Sequence, residues 1–386
     1  MSGPPSAASG GGLPGRTPLG RALDRVFRTS LVLVPVGVLA NVWWSWYATD
    51  HSVFAHLGVL PRKYLYLALV LALIPWFTNA LRLLVWTRFI GVRLRLRDTL
   101  RITLGGELAS SVVPTSSGTE VFRWGMMVQM GITQGQAASI VTLGYLEDLL
   151  FFATAIPTAI VVSGAWRLPL IRALGREMRG KAAVVAMVAA LLLLAAWALW
   201  HALLIGRLGE KPRGRGLRWT ARTRRRLRRT WHDYREVQRM VVRRGKGRFA
   251  LTFLITAVQW ISRYSVVTAL AYFLAPERRV DPVLFFLLQW VIFTAMNFVP
   301  TPGASGGAEA AFVLVYGALL PARVIGIATA GWRLLTFYFQ LTLGSVIFTA
   351  LNVAEAKRRA EAWRVDGAHP PGSSGPPGPP RHTAVL

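Results

Sequence analysis

The sequence contains no cysteine, only six histidines and few acidic residues. Without cysteine the chain forms no disulfide, no thiolate nucleophile and no cysteine-ligated metal site. The histidines are scattered, with no pair spaced i, i+4, so the sequence predicts no metal site and no cofactor. Only 17 Asp and Glu accompany 45 Lys and Arg, which gives a net charge of +28. A basic excess of this size favours one of two partners, nucleic acid or an anionic membrane.

Charged residues of either sign are also scarce, because they make up 16% of a chain that is 53% hydrophobic. The mean hydropathy is +0.42 and the chain contains 15 Trp. The basic residues lie mainly in short blocks between long apolar runs, which is the positive-inside pattern of membrane proteins. The pattern favours a membrane over nucleic acid as the partner. We therefore expect an all-α polytopic membrane protein that binds no nucleic acid.

Composition divides the chain into three parts. Residues 1–28 and 353–386 are rich in Gly and Pro and carry basic residues, so we expect disordered cytoplasmic tails there. Residues 29–352 form the predicted transmembrane domain, which contains a basic loop at 206–248. The charges of this loop, at 207–248, are expected to lie on anionic headgroups. Aromatic residues are interleaved with them, which leaves RNA binding as the alternative.

Six apolar runs are long enough to be predicted spans. They cover residues 31–47, 64–90, 137–162, 182–205, 250–274 and 322–351. Other apolar runs, within 100–130 and 284–320, are too short to cross a core of about 30 Å at about 1.5 Å per residue. We predict that each of these regions forms a re-entrant hairpin of two half-helices. The alternative treats some short runs as full spans and gives about eight crossings.

Proline and glycine interrupt both short pairs. The first break runs from Pro114 to Glu120 and the second from Pro300 to Glu309. Irregular backbone at membrane depth is tolerated only inside protein or beside a water-filled cavity. The residues predicted to shape the breaks are Pro114, Gly118, Pro300, Pro302, Gly303, Gly306 and Gly307. Both breaks are therefore candidate functional sites.

The two breaks share an order of residues, with Val-Pro-Thr followed by Ser-Gly and then Glu. A pair of interrupted apolar segments in corresponding halves indicates a transporter binding site. With both termini in the cytoplasm, the units 64–163 and 249–351 would have opposite orientations in the membrane. We therefore expect an inverted repeat whose two acidic residues meet near mid-membrane. Chance similarity of membrane loops is the alternative.

Charged residues within the apolar runs are the candidate substrate-binding residues. They are Glu120, Arg123, Asp148, Glu309 and Arg333. A charge in the bilayer is costly unless it is paired or hydrated, so such residues usually have a function. The two glutamates would bind substrate or a proton, or would only cap their half-helices. The two arginines would pair with them, hold a phosphate or extend to the membrane interface.

Asp148 follows Glu147, and Arg82 or a basic headgroup would neutralise them. Adjacent residues on a helix point about 100° apart, so we expect only one of the two carboxylates to face the interior. No nucleophile or nucleotide-binding loop accompanies the candidate residues. The sequence therefore favours transport over catalysis, and an enzyme remains the alternative.

Several motifs together resemble one known family. They are Pro300-Thr301-Pro302-Gly303, Gly306-Gly307, Glu309-Ala310-Ala311, Arg333-Leu334-Leu335-Thr336-Phe337 and Gly344, with Gly118, Glu120 and Arg123 upstream. Over roughly residues 30–352 the chain resembles the flippase-like membrane domain of lysylphosphatidylglycerol synthases. That domain also occurs as a stand-alone membrane protein of bacteria and archaea. The resemblance implies a lipid-handling protein of the plasma membrane that moves a polar or anionic lipid.

The chain departs from this family in two respects. In many members a Glu-Arg pair precedes an aspartate after the first motif, whereas this chain has Gly144-Tyr145 before Asp148. The synthase members also have a large soluble domain, for which the tail at 353–386 leaves no room. The alternatives to a flippase are an enzyme acting on a lipid-linked substrate and a scaffold for a partner lipid or glycan synthase.

Overall fold

The computed structural model describes residues 60–112, 118–167, 215–299 and 301–365, with isolated positions at Leu39, Trp43 and Arg172. Within these ranges the chain is helical and has no strand. The predicted spans at 31–47 and 182–205 fall almost wholly outside the described residues, as do Pro114 and Pro300. The sequence prediction of an all-helical protein is therefore confirmed for the part described.

The helices are numbered here in chain order. They are α1 Arg62–Phe89, α2 Leu96–Val112, α3 Gly118–Gln129, α4 Gln134–Val162, α5 Arg215–Arg244, α6 Lys246–Leu274, α7 Pro282–Met296, α8 Gly307–Tyr316, α9 Ala322–Arg333 and α10 Phe339–Val365. A π-helical segment, Leu334–Tyr338, joins α9 to α10. The helices α1, α4 and α6 and the continuous helix Ala322–Arg358 are long and apolar enough to cross a membrane. These correspond to the four predicted spans that the structure describes.

Local sequence explains where several of these helices begin. Thr133 accepts a hydrogen bond from the Gln136 backbone N–H, and the Gln136 side chain accepts one from the Thr133 N–H. This reciprocal arrangement is a capping box, which satisfies two backbone donors at the start of α4. Asp281 caps α7 by accepting from two backbone N–H groups, and Pro282 follows at the first helical position. The start of the long helix α4 and that of the short helix α7 are thus both fixed by local sequence.

The helices α1 and α6 form an antiparallel pair at the centre of the fold. The ring of Tyr64, near the start of α1, stacks on Tyr272, near the end of α6. At the other end the Arg248 guanidinium lies 4.6 Å from the centre of the Phe89 ring. Small residues between these ends allow the two backbones to approach closely. The corresponding first helices of the two predicted units therefore run in opposite directions.

Two short antiparallel pairs, α2–α3 and α7–α8, pack against this centre. Their members have 17, 12, 15 and 10 residues, whereas a transmembrane helix needs about 20. In the first pair the two helices are in contact where Gly106 lies against Arg123. In the second pair the Tyr316 hydroxyl donates to the Phe285 carbonyl of the other helix. The short turn Pro302–Ala304, within the second break, contacts α2. The two interrupted elements therefore meet inside the fold.

The structure differs from the sequence prediction at the end of the chain. The prediction placed a disordered tail from residue 353, but α10 continues to Val365. The residues beyond 352 include several Ala, Glu, Lys and Arg, which are strong helix formers. Arg358 also donates to the Ala354 carbonyl and lies 3.3 Å from the Glu355 carboxylate. Local propensity therefore extends the last helix past its apolar part.

The basic segment is also more ordered than a loop. Residues 215–244 form α5, whose second half packs on the first turns of α4. The Ser139 hydroxyl donates to the Tyr234 carbonyl at 3.1 Å and accepts from the Gln238 amide at 3.1 Å. A side chain at Gly135 would collide with the Thr230 backbone, which explains how closely the helices approach.

Candidate functional site

A cavity of about 530 Å³ lies between the central helices and the two interrupted pairs. It is lined by α1, α2, α3, α4, α6 and α7 and by the π-helical junction between α9 and α10. Seven charged side chains line it: Arg82, Glu107, Glu120, Arg123, Asp148, Arg263 and Arg333. The structure therefore brings four of the five predicted site residues to one cavity. The fifth, Glu309, lies against Arg333.

Glu309 pairs with Arg333 and also caps α8. Its Oε1 accepts from the Arg333 Nε at 2.7 Å, and its Oε2 accepts from the Gly306 N–H at 2.7 Å. The Arg333 side chain is only 1% exposed, and its Nη2 donates to the Gly303 carbonyl at 2.9 Å. Glu309 therefore caps its half-helix and pairs with Arg333 at the same time.

The second break packs against the π-helical segment through Gly303 and Phe337. Gly303 has a φ of +62°, and a Cβ there would lie 2.3 Å from the ring of Phe337. The Arg333 guanidinium lies 4.8 Å from the centre of the same ring. Gly306, with a φ of +83°, precedes the first residue of α8, Gly307. Glycine is therefore needed here for a left-handed backbone and for a close contact with an aromatic ring.

Arg123 organises the first break. Its Nη1 donates to Glu120 at 2.7 Å, and its Nη2 donates to Glu107 at 3.1 Å. Gly118 is the first residue of α3, so Glu120 lies in the first turn of that helix, where a negative charge is favourable. Both breaks thus place a glutamate at a helix start and pair it with an arginine.

Arg82 lies between two carboxylates of α4. Its Nη1 is 2.9 Å from Asp148 and 3.6 Å from Glu147. Glu147 is fully buried and accepts from Trp86 at 2.9 Å and from Thr252 at 2.6 Å. The expectation that only one of the two carboxylates faces the interior was wrong. Neighbouring side chains on α4 point about 100° apart, but the face of α4 that contacts other helices is wider than that angle. Both carboxylates therefore lie close to Arg82.

Sequence reasoning missed two charged residues of this cavity, Glu107 and Arg263. The Arg263 Nη2 lies 3.6 Å from the Glu107 Oε2. Glu107 interrupts the short apolar run that became α2, and Arg263 interrupts the span that became α6. A charge inside an apolar run was the same signal that identified Asp148, so both residues were within reach of that rule.

Each of the four arginines that line the cavity is paired with at least one carboxylate. Four arginines (82, 123, 263 and 333) lie within 4 Å of five carboxylates (107, 120, 147, 148 and 309). Pairing reduces the cost of each charge in a low-dielectric interior. An arginine can exchange a carboxylate for a phosphate, since the planar guanidinium binds both with two parallel hydrogen bonds. The arrangement is therefore suited to a polar, charged group.

Long apolar helices, two broken helix pairs and a charged cavity among them define a helical integral membrane protein. The family model described as the lysylphosphatidylglycerol synthase TM region matches residues 29–344. The chain belongs to this family, which confirms the resemblance seen in its motifs. A UPF0104 membrane protein of Archaeoglobus fulgidus is 24% identical over 300 residues, which cover 73% of this chain and 84% of that protein.

Proposed function

We propose that this protein moves a polar or anionic lipid across the plasma membrane of a bacterium or archaeon. The headgroup would pass through the charged cavity, while the acyl chains remain in the bilayer. The observation that carries the proposal is the cavity of about 530 Å³, whose walls combine α2, α3, α7 and residues of the second break with seven charged side chains. Ionisable residues inside a membrane protein usually mark the path of a substrate or ion.

The short pairs would act as re-entrant hairpins on either side of this path. Their lengths fall below that of a membrane span, and each pair returns antiparallel to its own starting side. The antiparallel relation of α1 and α6 supports an inverted repeat, as in transporters that alternate access around a central site. Opening would then alternate between the two hairpins.

The predicted site residues take two kinds of role in this mechanism. Glu120, Asp148 and Glu309 would bind the headgroup or carry protons. Arg123 and Arg333 each lie 2.7 Å from a carboxylate, so without substrate they would hold the cavity walls together. They would contact a phosphate only after releasing that carboxylate. Lipid entry therefore requires the ion pairs to open, which couples occupancy to conformation.

The basic helix α5 would lie on the cytoplasmic face with both chain termini on the same side. Arg225, Arg228 and Arg229 lie on this helix, and each exposed Lys or Arg gains about 1 kcal/mol near an anionic surface. A peptide spanning 213–246 should bind vesicles containing phosphatidylglycerol, and added salt should weaken that binding. If the peptide bound RNA selectively and its vesicle binding did not depend on vesicle charge, the proposed binding of α5 to an anionic membrane surface would be wrong.

The proposal is tested with liposomes that contain only the purified full-length protein. Fluorescent phosphatidylglycerol and phosphatidylethanolamine are placed in both leaflets, and a membrane-impermeant reductant bleaches the outer leaflet. Transport predicts that the fluorescence of at least one lipid falls well below the half that remains in protein-free liposomes. Fluorescence that stays at that half for every lipid would contradict the proposal. A covalent change in the lipid, detected by mass spectrometry, would indicate an enzyme instead.

A further inference from the structure

Arg263 is the least engaged arginine of the cavity. Its nearest carboxylate oxygen, on Glu107, is 3.6 Å away, whereas Arg123 and Arg333 each have one at 2.7 Å. Among the described residues its guanidinium donates no hydrogen bond. The group is held by aromatic rings instead, 5.7 Å from the centre of Trp260 and 5.9 Å from that of Phe293. Its guanidinium is therefore more loosely paired than those of Arg123 and Arg333, which leaves N–H groups that can donate to a ligand.

Three residues that line the cavity each have a buried side-chain atom without a hydrogen-bond partner in the described structure, and one of these atoms is the Nε of Arg123, whose two other nitrogens are paired. The other two are the indole Nε1 of Trp76 and the amide Oε1 of Gln259, in side chains that are 2% and 3% exposed. A buried donor or acceptor without a hydrogen bond is unfavourable, because it has lost its contacts with water and gained none in the protein. The unpaired donor of Trp76 and the unpaired acceptor of Gln259 belong to side chains that line one cavity, so a ligand bound there would have both within its surroundings.

Trp76 and Arg263 lie at the same level of the cavity. The antiparallel helices α1 and α6 are in register where Arg82 donates to the Thr256 hydroxyl at 3.0 Å. From that contact, Trp76 is six residues back along α1 and Arg263 is seven residues on along α6. Both are therefore about 10 Å from the Arg82 level, in the same direction, at about 1.5 Å of rise per residue.

We propose that Arg263 and Trp76 form the phosphate-binding subsite of this cavity, and that the phosphate belongs to a lipid headgroup. The guanidinium and indole N–H groups would donate to phosphate oxygens. Gln259, one helical turn before Arg263, would accept from a hydroxyl or ammonium group of the same headgroup. The proposal rests on the proposed function, since it names the part of the cavity that recognises the transported lipid.

The test measures binding of the water-soluble lipid dihexanoyl phosphatidic acid to the full-length protein in nanodiscs, with empty nanodiscs subtracted. Loss of a charge-assisted hydrogen bond predicts at least about a tenfold weaker Kd for Arg263→Gln. Trp76→Phe keeps the ring and removes one neutral donor, so we expect a weakening of about threefold to tenfold. Arg263→Lys keeps the charge and should retain part of the affinity. Arg323→Gln, in an exposed pair with Glu277, is the matched control and should leave Kd unchanged.

The same measurement separates the sources of the ligand. Dihexanoylglycerol, which has no phosphate, should not bind, and inorganic phosphate should bind far more weakly than the lipid. Equal binding of inorganic phosphate would overturn the assignment to a lipid. Natural affinity in both Arg263→Gln and Trp76→Phe would overturn the subsite.

Failure of the subsite and failure of the proposed function give different results. If the natural protein moves lipid in liposomes but Arg263→Gln binds dihexanoyl phosphatidic acid normally, the subsite is wrong and transport stands. If both variants lose binding while the natural protein moves no lipid, the subsite stands and transport is wrong.

Discussion

Replacing Glu309 by glutamine removes one negative charge and one hydrogen-bond acceptor from the second break. The carboxylate uses both oxygens, one for the Arg333 Nε and one for the Gly306 N–H. A glutamine side chain has a single acceptor oxygen. In the variant one of the two donors, the Arg333 Nε or the Gly306 N–H, therefore loses its partner.

The cost of Glu309→Gln follows from the burial of the residue left behind. Arg333 is 1% exposed and Glu309 is 20% exposed, so the arginine is the more deeply buried member of the pair. Breaking a buried pair by removing one partner costs about 3–5 kcal/mol. Because Arg333 keeps the Gly303 carbonyl and the Phe337 ring, we expect about 3 kcal/mol for Glu309→Gln.

The assay is the free energy of unfolding in mixed micelles, measured for the natural protein, Glu309→Gln, Arg333→Gln and the double variant. Coupled partners in contact show interaction free energies of about 0.5–3 kcal/mol, so the double variant should lose less stability than the two single variants together. A loss below about 0.5 kcal/mol for Glu309→Gln, with additive effects in the double variant, would refute the buried pair.

Three further predictions use the same measurement or the absence of cysteine. Gly303→Ala should lose about 2–4 kcal/mol of stability, since it combines an unfavourable positive φ with a collision against Phe337, while Gly125→Ala, which meets nothing within 4 Å, should be close to neutral. Arg82→Gln leaves two carboxylates without their cation and should cost about 3–5 kcal/mol; a loss of 1 kcal/mol, as in an exposed pair, would contradict the burial assigned to it. A single cysteine replacing Arg225 should resist an impermeant thiol reagent in intact cells, and one replacing Arg278 should react.

The elements that the sequence predicts correctly are those set by local composition. The four described long helices appear because uninterrupted apolar runs of this length have few other stable forms in a membrane. The short pairs end near their predicted breaks because proline and glycine interrupt the helical hydrogen bonding. The contact between Glu309 and Arg333 was among the pairings that the sequence offered, since the glutamate starts a half-helix and the arginine lies in the following span, both within apolar sequence.

Contacts between distant segments account for what the sequence did not predict. Glu107 contacts Arg123 and Arg263, which lie 16 and 156 positions further along the chain, and no periodicity in one sequence reports such pairs. The docking of α5 on α4 depends on close packing at Gly135, which composition does not distinguish from an ordinary turn residue. The extension of α10 was missed because a basic, polar composition was interpreted as a tail, although its residues favour a helix.

The central claim, that the headgroup passes through the charged cavity, is tested most directly by blocking the cavity. Ser110 lies in its wall and Gln129 lies exposed at the end of α3. Because the natural chain has no cysteine, Ser110→Cys and Gln129→Cys each provide one site for a charged thiol reagent, and mass spectrometry can verify labelling. The account predicts that labelled Ser110→Cys moves lipid in liposomes at least about tenfold more slowly than the unlabelled variant, equivalent to about 1.4 kcal/mol in the barrier, while labelled Gln129→Cys is unaffected. Equal rates for labelled and unlabelled Ser110→Cys would contradict it.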